Sequence, residues 1–338
     1  MDENKKEYHI GEDQRYIYSG TLTSSMCDYL ENIPTFEPMD VLVSQIDKSG
    51  VNSMLKLMER GIAKSLFIDS GAYSIHTGIA KVTNDEELKK FVDDYIEYVN
   101  GLDDKIIAVA QVDHIPGVFK QPKKPEDYVE SVKLTWDNFL YMHPKMKSPD
   151  KLIYVFHQGE SFDALAKILA WRDENGRPLQ YLGISPSNDR DVREKDVYLR
   201  EVYDFIAKSG NPNIKTHLFG YTSLPGLPKF PWYTADSVSH RLRAAYAKVF
   251  TNKWGTISLS VKRSAKSAAD RSFIETADEA TLQEFESIAA SYNLTIDQLV
   301  NESAARTAFD ICQIQEYMRS HPYKPENLRK QKRLISLD

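Results

Sequence analysis

Short runs of β-branched and aromatic residues alternate along this chain with longer segments of helical hydrophobic spacing. The runs predict eight strands, at residues 41–45, 66–68, 106–112, 152–156, 180–184, 215–219, 230–235 and 256–261. Helices are predicted between most of them, for example over residues 85–99 with Asn84 as cap and from Pro125 onward. Residues 220–229 contain Pro225, Gly226 and Pro228 and predict a loop where one helix would otherwise stand.

This alternation predicts an α/β fold, a closed (β/α)8 TIM barrel with one helix missing. Residues 10–23 have room for a short strand or two ahead of the repeat. After residue 261 the pattern changes, and 281–292 and 295–317 are predicted to be helices. We therefore expect an N-terminal extension (1–37), a barrel (38–262) and a C-terminal helical appendage (263–338). A Gly-rich dinucleotide loop and a Walker loop are both absent from the sequence.

Composition narrows the class of protein. With 338 residues, 41% hydrophobic and 27% charged, the chain is typical of a globular enzyme. The sequence contains no run of about 18 apolar residues, so no membrane span is predicted. The charged N-terminus does not resemble a secretory signal, and two cysteines are too few for a disulfide framework. We expect a cytoplasmic protein. The net charge of −6 argues against nucleic-acid binding through overall charge but leaves room for a local basic face.

Polar side chains follow several of the predicted strands. Asp69, Asp113 and Asp236 each stand at or after a strand end, and Gln158 follows a fourth strand. A β/α barrel gathers such groups at one end. We therefore predict one pocket in which Asp236 is the nucleophile and Asp69 exchanges protons. A single aspartate after a strand is otherwise most often a helix cap or turn residue.

Other residues near the same strand ends are suited to binding a flat heterocycle. Gln158 offers an amide donor and an acceptor for the edge of such a ring. Gly159 and Gly183, like Gly71, allow close backbone approach. Tyr73 and Tyr221 can stack on a base.

Four histidines, His114, His157, His217 and His240, also lie near strand ends and raise the alternative of a metal-dependent barrel hydrolase. No His-x-His, His-x-x-His or paired-cysteine spacing accompanies them. We therefore expect no metal and no cofactor, and we expect His157 and His217 to pack within or beside strands.

Basic residues cluster after the proposed nucleophile and are candidates for binding backbone phosphates. They include Arg241, Arg243, Lys262, Arg263 and Lys266, and Lys120, Lys123 and Lys124 follow Asp113. The alternative is that these charges only solvate helices.

Five motifs in order resemble those of the tRNA-guanine transglycosylase superfamily over about residues 40–260. Residues 69–73 (Asp-Ser-Gly-Ala-Tyr) resemble its Asp-Ser-Gly-Gly-Phe signature, and 156–159 (Phe-His-Gln-Gly) its Gln-Gly motif. Residues 111–113 (Gln-Val-Asp) stand where the family has its second base-reading aspartate. Residues 182–185 (Leu-Gly-Ile-Ser) and 234–238 (Thr-Ala-Asp-Ser-Val) resemble its glycine strand end and its nucleophile segment.

The resemblance implies a base exchange. Asp236 would attack C1′ of a guanosine nucleotide, and Asp69, assisted by Ser70, would take a proton from an incoming 7-deazaguanine base. Asp113, Gln158 and Gly183 would hold the base edge. The target nucleotide would have to leave its stack.

Departures from the family pattern favour one branch. The bacterial tRNA-acting members carry a zinc site of three cysteines and a histidine, whereas Cys312 is the only cysteine in that region here. The chain therefore resembles the zinc-free branch that inserts 7-deazaguanines of the preQ0 type into DNA, found in phages and bacterial modification clusters. A tRNA-acting (queuine-type) enzyme is the runner-up, and an inactive nucleic-acid-binding partner subunit is a further alternative. A homodimer or partner proteins of a modification system are possible assemblies.

Overall fold

Eight parallel strands close into a barrel in the computed structural model, which describes residues 10–11, 13–187, 189–260 and 271–325. The strands are β1 (Arg15–Ser19), β2 (Met39–Ser44), β3 (Ala63–Asp69), β4 (Ile106–Ala110), β5 (Leu152–His157), β6 (Tyr181–Ser185), β7 (Lys215–Leu218) and β8 (Thr234–Ser237). They follow one another in chain order around the barrel, and β8 pairs with β1 with Ile17 opposite Asp236. The predicted (β/α)8 barrel is confirmed.

The strand that completes the barrel is different from the one predicted. The predicted eighth strand, 256–261, corresponds to β10 (Gly255–Ser258), which forms a separate antiparallel pair with β9 (Lys248–Thr251). Its place is taken by β1, so the barrel begins inside the segment expected as an N-terminal extension. The burial of the two strands explains the difference, because β1 is almost wholly buried whereas β10 has a single buried residue. A strand covered on both faces belongs in a parallel barrel, and a half-exposed one does not.

Helices cover the outside of the barrel and form the C-terminal part. They are α1 (Ser24–Glu31), α2 (Lys48–Glu59), α3 (Ala72–His76), α4 (Asp85–Gly101), α5 (Pro125–Met142), α6 (Phe162–Ala170), α7 (Val192–Ala207), α8 (Ser239–Ala245), α9 (Phe273–Thr276), α10 (Glu279–Ser291), α11 (Ile296–Asn301) and α12 (Ser303–Ser320). Asn84 caps α4 by accepting the Glu87 amide, as predicted. Between β7 and β8 stands only a 3-10 turn, Leu224–Lys229, which confirms the predicted irregular link. No helix of the described residues is long and apolar enough to cross a membrane.

The strand period of two separates two cores. Alternate residues point into the barrel and form a small inner cluster that includes Ile17, Phe67 and Ile153, while the others pack under the helices. Two residues further along β1 and β3, the same inward face presents Ser19 and Asp69. The barrel interior is therefore apolar at its centre and polar at the carboxyl ends of the strands.

The C-terminal helix α12 is fixed to the barrel by a buried charge. Asp310 Oδ2 accepts a 2.6 Å hydrogen bond from Arg243 Nε on α8, and its Oδ1 accepts the Phe250 amide. The Asp310 side chain is fully buried, and that of Arg243 is 13% exposed. Burial raises the pKa of Asp310 to about 7, and the Arg243 guanidinium acts in the opposite direction.

Removing one member of this pair should be costly. We expect Asp310→Ala to lower the free energy of unfolding by about 3–5 kcal/mol at pH 8, because it leaves Arg243 buried without a countercharge. Urea denaturation measures this. The matched control is Glu284→Ala, which breaks the exposed Lys253–Glu284 pair and should cost about 1 kcal/mol or less. Equal losses in the two variants would contradict the assignment.

Candidate functional site

A cavity of about 590 Å³ opens at the carboxyl ends of the strands. Its wall includes Asp69, Tyr73, His76, Asp113, Phe119, Lys120, Lys123, His157, Gln158, Ser187 and Phe219. Four residues predicted from the sequence, Asp69, Tyr73, Asp113 and Gln158, therefore lie around one space. This is the barrel end at which reacting groups are normally found.

Asp69, the last residue of β3, is the carboxyl group poised to exchange a proton. Burial, together with the negative charges of Asp113 and Asp236, raises its pKa to about 6, and the Gly71 amide acts against this rise with a 3.1 Å hydrogen bond. A carboxyl group that titrates near neutral pH can take and return a proton during a reaction.

The pKa of Asp236, in β8, is shifted in the opposite direction from that of Asp69, although the residue is only 9% exposed. Ser19 Oγ donates to Oδ2 at 2.6 Å, and the Gly220 amide donates to Oδ1 at 2.8 Å. Burial by itself raises its pKa, but the interaction with His217 and these two hydrogen bonds outweigh burial and hold the pKa below its ordinary value. Asp236 is therefore an ionised carboxylate, as a nucleophile must be.

His217 belongs to the support of Asp236. Its Nε2 lies 3.3 Å from Asp236 Oδ1, too poorly aligned for a hydrogen bond, so this contact is electrostatic and Ser19 and Gly220 are the principal donors. His217 Nδ1 lies 2.8 Å from Thr234 Oγ1, which also contacts the Tyr181 hydroxyl. Burial lowers the pKa of His217, and the Asp236 carboxylate acts in the opposite direction. The sequence had suggested only packing for this histidine.

Asp236 is not among the residues that line this cavity. Phe219, which follows β7, forms part of the wall, and its ring packs edge-on against His217 with centroids 4.2 Å apart. The field of Asp236 nevertheless acts on Asp69. The two carboxylates thus belong to one electrostatic site, with Asp236 the deeper of the two.

A second histidine, His157 at the end of β5, joins two acidic side chains. Its Nε2 lies 2.9 Å from Asp113 Oδ2, and its Nδ1 lies 3.0 Å from Glu160 Oε1. Burial lowers its pKa, but the two carboxylates outweigh burial and raise it to about 9. The sequence analysis expected His157 only to pack within or beside a strand, and it did not single out Glu160. The three-residue spacing after a strand end was the available signal.

Gln158 is held at the cavity wall by its carboxamide oxygen, which accepts the Ser187 amide at 2.9 Å. Tyr73 is 54% exposed and meets the Phe119 ring edge-on at 6.3 Å. These two residues give the cavity a polar wall and an aromatic rim. Such a combination suits a flat, hydrogen-bonding ligand.

Four other predicted contacts lie off the cavity wall. Ser70 is buried, and its hydroxyl oxygen accepts the Ala72 amide at the start of α3. Gly159 has φ +107° and faces the Tyr128 ring on the outer side of the loop, where a Cβ would come within 2.4 Å. A Cβ on Gly183 would come within 2.4 Å of Phe219, so this glycine makes room for the wall residue.

Tyr221 is the fourth. It is 2% exposed, its hydroxyl donates to Asp196, and its ring packs against Phe230. It therefore belongs to the core around the barrel and does not stack on a ligand in this cavity.

The predicted phosphate-binding residues are only partly available. The Arg243 guanidinium is paired with Asp310 inside the protein, and a phosphate contact by this residue stays a prediction. Arg241 is half-buried, and its guanidinium covers Gly20. Lys262, Arg263 and Lys266 lie outside the described residues. Lys120 and Lys123 stand at the cavity rim.

The remaining histidines do not assemble a metal site. His240 is fully buried against Tyr18, and burial lowers its pKa to about 3. Burial also lowers the pKa of His114. Among residues 10–11, 13–187, 189–260 and 271–325, no three His, Cys, Asp or Glu side chains are grouped so as to hold a metal ion.

The coupling between Asp69 and Asp113 can be tested by titration. Asp113→Asn removes a negative charge, which makes ionisation of Asp69 easier, so the pKa of Asp69 should fall from about 6 toward its ordinary value of about 4. Carboxyl ¹³C NMR over pH 3–8 measures it. Asp94→Asn on the exposed side of α4 is the control and should change nothing. An unchanged or higher pKa in Asp113→Asn would contradict the coupling.

Comparison with known proteins adds no family assignment. No protein-family model matches the chain, and no curated protein sequence matches it.

Proposed function

We propose that the protein is a DNA guanine transglycosylase, which exchanges guanine in DNA for a 7-deazaguanine base of the preQ0 type. One observation carries the proposal: two acidic side chains of a single site have opposite protonation behaviour. The pKa of Asp236 is held low by its donors, whereas that of Asp69 is raised to about 6. Pairs of carboxyl groups whose environments separate their pKa values serve as nucleophile and proton carrier in one reaction.

The first step breaks the bond between base and sugar. A carboxylate oxygen of Asp236 attacks C1′ from the face opposite the base, and the C1′–N9 bond breaks with its electron pair leaving on guanine. The guanine anion takes a proton from Asp69 or from water, and the sugar is left as an ester of Asp236. The Ser19 and Gly220 donors fix the attacking carboxylate.

The second step forms the new bond. Asp69 takes the N9 proton of the incoming base, whose nitrogen then attacks C1′ and releases Asp236 as a carboxylate. Two inversions give net retention of configuration. The base edge would meet Asp113 and Gln158, both of which line the cavity. The cavity of about 590 Å³ is within the size range of small-ligand sites.

The nucleic-acid substrate must present a flipped or unpaired nucleotide to reach this depth. Exposed Tyr73, Val118 and Phe119 surround the entrance together with Lys120 and Lys123. Aromatic side chains that stack on bases, combined with cations that meet phosphates, are typical of surfaces that hold single-stranded segments. The choice of DNA rests on the resemblance of the sequence to the zinc-free branch of the superfamily.

Base exchange tests this directly. Labelled guanine and labelled preQ0 would be offered to the protein with duplex DNA, with single-stranded DNA and with tRNA. We expect incorporation into DNA and a loss of about 10³-fold or more in Asp236→Asn, since the nucleophile is absent. Asp94→Asn is the matched control and should retain full activity.

Detection of the covalent ester between Asp236 and the sugar tests the proposed nucleophile directly. Denatured wild-type protein should carry a sugar–DNA adduct at Asp236 by mass spectrometry, and Asp236→Asn should carry none. Incorporation into tRNA alone would overturn the choice of DNA. Exchange that survives the Asp236→Asn substitution would overturn the nucleophile.

A further inference from the structure

An unbroken row of hydrogen-bonded side chains leads from the cavity into the barrel wall. Asp113 Oδ2 contacts His157 Nε2, His157 Nδ1 contacts Glu160 Oε1, and Glu160 Oε1 also accepts the Ser131 hydroxyl at 2.8 Å. Glu160 Oε2 accepts the His157 amide at 3.2 Å. The Glu160 side chain is fully buried, and that of His157 is 8% exposed.

Two carboxylates and several neutral polar groups surround His157. Asp113, after β4, and Glu160, after β5, face its two ring nitrogens with negative charge. His114 and His76 also act on this group of residues, and burial lowers the pKa of both, so they are neutral near pH 7. Ser131 on α5 contributes a neutral hydroxyl. A buried ring between two carboxylates is favoured as the imidazolium cation.

We infer that His157 is a positioning residue that, backed by Glu160, fixes the orientation of the Asp113 carboxylate and leaves one of its oxygens to accept hydrogen bonds from the base. The inference rests on the proposed function and deepens it. Because Oδ2 is occupied by His157, Oδ1 is the oxygen left to accept a hydrogen bond from a ligand in the cavity that Asp113 lines. Such a group selects a base edge with N–H donors, as in 2-amino-4-oxo purines and 7-deazapurines, over an edge that presents a ring-nitrogen acceptor.

A substitution at Glu160 weakens the support of His157 without removing a residue that lines the cavity. Glu160→Gln keeps the shape of the side chain and removes one of the two negative charges on His157. The imidazolium should then lose its proton at lower pH. Glu86→Gln, at an exposed position in the first turn of α4, carries the same charge change and is the matched control.

Two measurements on the whole protein test the inference. The first is an NMR titration of labelled histidine rings, with His157 assigned by His157→Gln. In the wild type the midpoint should lie near 9, and in Glu160→Gln at least about one pH unit lower. The second is calorimetric binding of free guanine and of preQ0 between pH 6 and 9.5. Affinity in the wild type should hold up to the His157 midpoint, whereas in Glu160→Gln it should begin to fall about one pH unit lower. By pH 9.5 the variant should bind several-fold more weakly than the wild type, approaching the roughly tenfold change that one pKa unit represents.

Each result decides the inference without requiring exchange activity. A wild-type His157 that titrates at or below about 6.5, its ordinary value, would overturn it. So would a Glu160→Gln protein that binds the bases with the affinity and pH profile of Glu86→Gln, or a wild type that binds neither base. Binding without any exchange into nucleic acid would leave the positioning role standing and count against the proposed reaction alone. If Glu160→Gln fails to fold, His157→Gln provides the same binding test, because its amide can donate to Asp113 without carrying charge.

Discussion

The site depends on hydrogen bonds that hold a negative charge inside the barrel. Asp236 keeps its carboxylate nearly buried because Ser19 and the Gly220 amide donate to its two oxygens. Burying an ion without such donors would cost several kcal/mol or force its neutralisation. Ser19 stands at the end of β1, so the donor is in place only because β1 closes the barrel against β8. The ionised state of Asp236 therefore depends on closure of the barrel by β1.

Buried carboxyl groups must also be compensated on the opposite side of the barrel end, and there the compensating group is a histidine ring. There, two carboxylates are compensated by the His157 ring between them. Asp69 has only the Gly71 amide and a neighbouring hydroxyl to set against burial and two like charges, and its pKa rises. The barrel end therefore holds an ionised group, a proton-exchanging group and an ion-paired group within one electrostatic environment.

The C-terminal helix α12 determines whether a basic side chain after Asp236 is already paired within the protein. Asp310 of α12 pairs with Arg243, so this basic residue, which lies shortly after Asp236 in the sequence, serves stability. The rim cations on the loop after β4, Lys120 and Lys123, stand beside exposed aromatic rings instead. Recognition of a nucleic acid at this mouth would combine stacking with a small number of phosphate contacts, which fits a chain of net charge −6.

The sequence by itself determined the alternation of strands and helices, the irregular link before β8, and the gathering of Asp69, Asp113 and Gln158 at one end. These follow from local hydrophobic period and from the rule that parallel strands end together. Only the tertiary structure decided that β1 and not β10 closes the barrel, that Tyr221 and Arg243 are taken up by packing and ion pairing, and that His157 and His217 support carboxylates. Each of those outcomes is set by partners far away in the chain. Ser19 and Asp236, for example, are 217 positions apart, and no local pattern reports which distant group will satisfy a buried polar atom.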